Sequence, residues 1–177
     1  MSDLRSGAGI ILMTVGAACG YGILHDLITT RVCLKYFTVF HPPIFGGTQD
    51  PTILALSWGI IATWWVGLPL GCLLALSARH GSWPKLDPRN LIPGLLCALA
   101  FMAANALIFG IIGYRYALTL LPDLAYSDPR FNADLFAHNA SYFSGAAAGI
   151  ILCAATILRR RRAYRSRTIP SVAPQKL

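Results

Sequence analysis

Four long apolar runs, none interrupted by Lys or Arg, constrain this chain more than any other feature. They cover residues 8–28, 53–78, 91–113 and 135–158 of a 177-residue sequence. About 20 apolar residues let an α-helix cross the hydrocarbon core of a bilayer, and each run is that long. The runs are apolar on every side, without the alternation of a membrane-spanning strand. The sequence therefore predicts an all-α integral membrane protein whose four-helix bundle forms one domain, residues 1–158.

The basic residues predict how this bundle is oriented. The chain has 15 Lys and Arg against seven acidic residues, all of them Asp. Eleven of the basic residues lie in the N-terminus, the loop between the second and third runs, and the C-terminal tail, whereas four lie in the other two loops. Because Lys and Arg accumulate on the cytoplasmic side of a membrane, both termini are predicted to be cytoplasmic.

The C-terminal tail, residues 159–177, is predicted to be a disordered cytoplasmic segment. It begins with four consecutive arginines, Arg159, Arg160, Arg161 and Arg162. A basic cluster directly after a span is typical of contact with anionic lipid, worth about 1 kcal/mol per residue near the surface. The clustering argues against nucleic-acid binding, because the charge is not spread over a folded face and no groove-reading helix accompanies it.

Small residues and turn residues predict how the helices pack and end. Glycines spaced four apart, starting at Gly16, Gly67 and Gly145, let helices approach closely, within one chain or between copies in a homo-oligomer. Asp-Pro pairs precede the second and third runs, where Asp can cap the helix and Pro can occupy its first turn. Asn132 followed by Asp134 is expected to cap the start of the fourth helix. Proline inside the second and third runs, at Pro69 and Pro93, predicts kinks.

Residues 27–40 are predicted to form an interfacial helix that continues the first span and then turns along the membrane surface. The apolar side chains that can share one face are Leu27, Leu34, Phe37 and Phe40, with Arg31 and Lys35 opposite. This pattern is typical of a helix lying in the membrane interface. The His41-Pro42-Pro43 sequence would end it.

Polar residues concentrate at the predicted external ends of the first and fourth spans. The candidate ligand-binding residues are His25, Asp26, Arg31 and His41. Ionisable residues in or beside a span are by default a functional hypothesis. The sequence therefore points to a polar rim on the external face.

A metal site is one interpretation of this rim. Asp134 and His138 are four residues apart, so they share a helical face. If the first and fourth helices touch, the candidate metal ligands His25, Asp26, Asp134 and His138 converge. Two imidazoles and two carboxylates suit zinc or another divalent ion.

A purely structural interpretation of the same residues stays open. Asp26 would then pair with Arg31 or Arg115, and Asp134 would only cap its helix. The histidines would sit in the headgroup region, where an amphipathic ring is stable.

The segment YGILHDLITTRVCLKYFTVFHP, residues 21–42, resembles one in small bacterial membrane proteins that have no assigned activity. The features in common are His25-Asp26, Arg31 with Cys33, Tyr36-Phe37 and His41-Pro42. The run TWWVGLPLG, residues 63–71, is also similar to that group. The resemblance implies a bacterial inner-membrane protein, and it implies no reaction.

The preferred function is that of a binding or accessory protein rather than an enzyme, with no cofactor expected. Its expected partners are other copies of the chain in a homo-oligomer or the members of a larger membrane complex. One alternative is a metal-dependent membrane hydrolase, with His25 and His138 as ligands and Asp26 or Asp134 as third ligand or base. A second alternative is a subunit of an oligomeric small-solute transporter or channel.

Overall fold

The computed structural model describes residues 3–168, in which every regular element is a helix. The helices are α1 (Asp3–Val32), α2 (Leu34–Val39), α3 (Pro51–Ile61), α4 (Trp64–Arg79), α5 (Ile92–Leu120) and α6 (Pro129–Thr168). A 3-10 turn at Pro88–Asn90 precedes α5. α1, α5, α6 and the segment formed by α3 and α4 are each long and apolar enough to cross a membrane. The predicted all-α class and the four long apolar helical segments are confirmed.

The helices pack as two groups. α1 lies along α3 and α4, α5 lies along α6, and the contact between α4 and α6 joins the groups. α1 meets α5 and α6 over a much shorter length. The end of the bundle where α1 and α5 finish and α6 begins also carries α2, and we call it the α2 end. The candidate site residues belong to this end.

α1 and α3 cross with their backbones in contact at Gly22 and Gly59. A Cβ atom added to Gly22 would lie 2.6 Å from the Cγ2 atom of Thr63 and would overlap the carbonyl oxygen of Gly59. This close approach brings the two backbones into van der Waals contact, which stabilises the crossing. Glycine is therefore required on both helices at the crossing.

The three predicted small-residue motifs differ in their use. Those starting at Gly67 and Gly145 lie within contact distance of neighbouring helices, the first against the backbone of α1 and the second against side chains of α4 and α5. The motif starting at Gly16 has no heavy atom of another element within 4 Å of either added Cβ. Two of the three motifs therefore serve packing within the chain.

The second apolar run forms two helices, because α3 ends at Ile61 and α4 begins at Trp64. The interruption does not fall at Pro69, through which α4 continues. At the interruption, the Tyr142 hydroxyl of α6 donates a 3.3 Å hydrogen bond to the carbonyl oxygen of Ala62. Pro93 lies in the first turn of α5, where its missing N–H interrupts nothing.

α6 begins earlier than the sequence predicted. Its first residue is Pro129, and the Asp128 carboxylate accepts a 2.9 Å hydrogen bond from the Arg130 N–H. Asn132 and Asp134 therefore lie inside the helix, and the prediction that they cap it is wrong. A carboxylate at this position needs another explanation.

α6 also continues beyond the predicted span, to Thr168. The prediction of a disordered tail is therefore wrong for residues 159–168, which are helical. Residues 169–177 lie outside the described part of the chain. A helix that is already formed through the apolar run extends readily, since each added residue closes one further hydrogen bond.

Arg160 points into the protein and is 2% exposed. Its guanidinium donates hydrogen bonds of 2.7 to 3.1 Å to the backbone carbonyls of Ser77, His80, Trp83 and Pro84. The last carbonyls of a helix have no partner within it, and a guanidinium offers five donors, so Arg160 satisfies the end of α4. The prediction that Arg160 contacts lipid is wrong, whereas Arg159, Arg161 and Arg162 are exposed.

Replacing Gly22 with Ala is expected to lower the free energy of unfolding by about 1–3 kcal/mol, because the added methyl overpacks the α1–α3 crossing. Thermal unfolding of the purified protein in detergent measures the loss. Gly16→Ala is the matched control on the same helix, and it should leave the melting temperature unchanged or raise it. Equal effects of the two substitutions would contradict the crossing.

Replacing Arg160 with Met is expected to lower the free energy of unfolding by about 1.5–3 kcal/mol, because four carbonyls lose a charged donor. Arg161→Met, an exposed neighbour, is the control. The same detergent unfolding measurement compares them. If Arg161→Met proved as costly, the loss would reflect charge in the arginine cluster and not the contacts of Arg160.

Candidate functional site

α1 and α6 bring three ionisable side chains together at the α2 end. Asp26 on α1 and His138 on α6 are 5% and 8% exposed, and Nε2 of His138 lies 3.2 Å from Oδ1 of Asp26. The His25 ring lies edge-on to the His138 ring, with centroids 4.5 Å apart. One ligating atom from each of His25, Asp26 and His138 lies within 4.8 Å of the other two. The predicted convergence of the first and fourth helices therefore holds for three of the four candidate metal ligands.

Helix geometry sets the tautomer of His138. Its Nδ1 atom lies 2.8 Å from the backbone carbonyl oxygen of Asp134, one turn earlier. A carbonyl oxygen only accepts, so Nδ1 carries a hydrogen and donates it. In the neutral ring Nε2 then has a free lone pair directed at the Asp26 carboxyl group. This contact requires a proton or a metal cation between the two atoms.

His25 contributes a ring nitrogen that the protein leaves unpaired. Its Nε2 atom is buried and has no hydrogen-bond partner among the described residues. The ring stacks on Tyr21, one turn earlier, with centroids 5.7 Å apart. Tyr21 is held in turn by a 2.8 Å hydrogen bond between its hydroxyl and that of Ser141 on α6. A buried nitrogen without a partner is costly unless a ligand satisfies it.

The short helix α2 covers the site. α1 is interrupted at Cys33, and α2 then folds back so that Tyr36 and Phe37 are buried. The Tyr36 ring stacks on the His138 ring at a centroid distance of 4.5 Å. A helix after the first span was predicted, but its aromatic residues face the protein and not only the membrane surface. The aromatic cover keeps bulk water away from His138.

His41 belongs to this cover and not to the group of three. Its Nδ1 donates a 3.0 Å hydrogen bond to the carbonyl oxygen of Tyr36, and its ring packs on Phe37 and Trp58. Burial lowers the pKa of His41 below its usual value, although the bond to Tyr36 acts in the opposite direction. Burial also raises the pKa of the Tyr36 phenol, which therefore stays protonated.

Arg31 does not join the site. It is exposed and donates hydrogen bonds to the Leu27 carbonyl oxygen and to the Thr52 hydroxyl. The structural interpretation proposed that Arg31 pairs with Asp26, and the structure does not contain that pair. Among the described residues, Asp26 has its ion-pair contact with His138 instead.

Asp134 is buried beside the group of three without belonging to it. The residue is 1% exposed, and its Oδ2 atom has no hydrogen-bond partner among the described residues. It lines a lateral groove that also exposes His25. Burying a carboxylate oxygen without a hydrogen-bond partner destabilises the folded protein. The position of Asp134 beside three potential ligands suggests a role in charge balance or proton transfer.

Two apolar cavities meet at His25. One, of about 110 Å³, lies between the two helix groups and extends from His25 and Asp26 towards the middle of the bundle. The other is the lateral groove, of about 650 Å³, between α1, α5 and α6. The site therefore has an apolar approach from within the bundle and another from its side.

Tyr21 and Ser141 belong to the polar groups at the predicted external ends of the first and fourth spans, but neither was a candidate ligand, and Tyr36 was not assigned to the site. Tyr21 carried a signal, because it precedes His25 by four residues and therefore shares its helical face. No sequence pattern assigned Tyr36 to the site, since only the reversal of the chain at Cys33 brings its ring over His138. Ser141 could be assigned to the site only once the register between α1 and α6 was known.

Asp26 and His138 are expected to be energetically coupled. Removing either partner of a buried pair leaves the other uncompensated, so Asp26→Asn and His138→Gln should each cost about 3–5 kcal/mol of unfolding free energy. The double substitution should cost at least 1 kcal/mol less than the sum of the singles. Unfolding of the wild-type protein, the two single variants and the double variant in mixed detergents measures the coupling free energy. Asp123→Asn, in the exposed loop before α6, is the control and should be additive with His138→Gln.

Comparisons with family models, with curated proteins and with solved structures find no match for this chain. The resemblance of residues 21–42 to small bacterial membrane proteins therefore stays a prediction. Any function assigned to the chain follows from the geometry of the site at the α2 end.

Proposed function

We propose that this chain is an integral membrane protein that binds one divalent transition-metal ion through His25, Asp26 and His138. The observation that supports this most is the approach of their three ligating atoms to within 4.8 Å of one another in a buried setting. The buried Nε2 atom of His25 has no hydrogen-bond partner among the described residues, so it is available to bind a metal ion.

The donor set supports a transition metal over calcium or magnesium. Two imidazole nitrogens and one carboxylate oxygen match catalytic zinc sites and the facial triad of non-haem iron, both of which keep open positions. Calcium and magnesium favour sites built of oxygen atoms. Zn²⁺ and Fe²⁺ are therefore the proposed ions.

The surroundings of His138 also support the proposal. Metal-binding histidines usually donate their second N–H to a carbonyl or a carboxylate, which orients the ring. The bond from Nδ1 of His138 to the Asp134 carbonyl oxygen is of this kind. Two nearby carboxylates, of Asp26 and Asp134, would balance the double charge of the ion in a site with little water.

The proposed location is a bacterial inner membrane, with both termini in the cytoplasm and the α2 end outside. The excess of Lys and Arg at the opposite end of the bundle supports this orientation. Exposed Arg159, Arg161 and Arg162 would lie at the cytoplasmic headgroups, where anionic lipid attracts them.

A metal-dependent hydrolase is the second candidate, and Asp134 favours it. A metal ion with an open position lowers the pKa of a bound water and supplies a hydroxide nucleophile near neutral pH. The unpaired Oδ2 atom of Asp134 would accept a proton from such a water. If the site is catalytic, Asp134→Asn should abolish turnover while metal binding persists.

Elemental analysis tests the binding proposal. Protein purified in detergent, loaded with Zn²⁺ and freed of excess metal, should hold about one ion per chain. His25→Ala, Asp26→Asn and His138→Ala should each weaken binding at least tenfold, because each removes a ligand of the proposed three. His80→Ala is the matched control, since this exposed histidine lies at the opposite end of the bundle.

Two further measurements keep the test decisive if a variant folds poorly. Zn²⁺ at about 100 times its dissociation constant should stabilise the wild-type protein by roughly 2.7 kcal/mol through mass action. Affinity should fall as the pH is lowered, because protons compete for the ligands. Wild-type protein that takes up no metal, or His138→Ala protein that retains it, would contradict the proposal.

A further inference from the structure

The lateral groove, of about 650 Å³, opens at the side of the bundle. Its walls come from α1 and α5, and its floor comes from α6. The side chains along its two edges are exposed and apolar: Leu24, Ile28, Leu107 and Ile111 are 66%, 67%, 66% and 54% exposed. Such edges are stable in hydrocarbon and unfavourable in water, so the groove opens into the acyl-chain region of a bilayer.

The groove has the length of one acyl segment within a leaflet. On α1 it extends from Tyr21 to Val32, which at the helical rise is roughly 16 Å. This is about half the thickness of the hydrocarbon core. The groove therefore lies within the leaflet at the α2 end.

Small residues form the inner surface of the groove. They are Ala103, Ala106 and Gly110 on α5, with Ala133 and Ala137 on α6. A flexible hydrocarbon chain gains van der Waals contact along an apolar surface of this kind. α1 and α5 themselves meet over only a short length.

Charge marks one end of the groove. Arg115, near the end of α5, lines it and is exposed. Its guanidinium makes no hydrogen bond or ion pair with any residue from 3 to 168. A guanidinium at the level of the headgroups is complementary to phosphate, which it binds through two parallel N–H groups.

We propose that the lateral groove binds one phosphate-bearing membrane lipid, with an acyl chain between α1 and α5 and the phosphate on Arg115. The proposal deepens the proposed function by naming the class of molecule presented to the site, and it rests on the membrane location but not on the metal. His25 and Asp134, which line the same groove, lie beside the lipid. The lipid reaches them laterally, without crossing water.

Photo-crosslinking in lipid nanodiscs tests this binding. The probe is phosphatidylglycerol with a diazirine in its acyl chain, diluted into phosphatidylcholine, and labelled peptides are located by mass spectrometry. Labelling is expected to concentrate on the groove edges of α1 and α5. Ile150 and Ile151 on α6 are the internal reference, because they are 64% and 65% exposed and lie outside the groove.

Two matched pairs of variants sharpen the test. Ala103→Trp fills the groove and should reduce labelling of its edges at least fivefold, whereas Ala104→Trp, an exposed neighbour outside the groove, should not. Arg115→Gln should remove the preference for the phosphatidylglycerol probe over a matched diacylglycerol probe, which has the same acyl chains and no phosphate. Arg130→Gln, an exposed arginine outside the groove, should preserve that preference.

The outcomes separate this inference from the metal proposal. Persistent groove labelling in His138→Ala supports a lipid site that is independent of the metal, and its loss would overturn that independence. Labelling equal to that of Ile150 and Ile151, or unchanged in Ala103→Trp, would overturn the lipid site. A dimer of the purified protein that disappears in Ala103→Trp would assign the groove to a second copy of the chain and overturn the lipid site as well.

Discussion

The contact between Asp26 of α1 and His138 of α6 joins the two helix groups at the α2 end. α1 and α6 share little other surface, because each packs mainly within its own group. Where water is excluded, a carboxyl group and an imidazole must satisfy each other, so the pair also sets the register of α1 against α6. The 2.8 Å bond between the hydroxyls of Tyr21 and Ser141 lies on the same seam and follows from that register.

Arg160 connects the two helix groups at the other end of the bundle. Its hydrogen bonds connect α6 to the end of α4 and to the loop that follows it. Between these two polar connections, both small and large apolar residues surround an apolar cavity of about 110 Å³. The two helix groups are therefore connected by polar contacts at both ends and by the packing of α4 on α6 between them.

Much of the fold was predictable from local sequence. The four long apolar helical segments follow from the length of the apolar runs. The cap at Asp50, which accepts hydrogen bonds from the Thr52 and Ile53 N–H groups, follows from the Asp-Pro pair. The roles of Asp134 and Arg160 were not predictable, because both depend on where α6 begins and ends. α6 begins at Pro129, six residues before the predicted span and therefore nearly two turns earlier, which moved Asp134 from a cap to a buried position. Extension of the same helix at its other end turned Arg160 towards α4.

The sequence by itself determined that the chain forms four long apolar helices with polar residues gathered at the ends of two of them, because length and composition are local properties of the chain. It also indicated His25, Asp26 and His138 as potential ligands, since spacing along a helix decides which side chains share a face. Only the tertiary structure decided that these three meet, that Asp134 stands beside them, and that Arg31 turns away. The physical reason is that helix contacts in an apolar setting depend on where small residues permit close approach between distant segments, and no local pattern in the sequence specifies which pairs of helices meet.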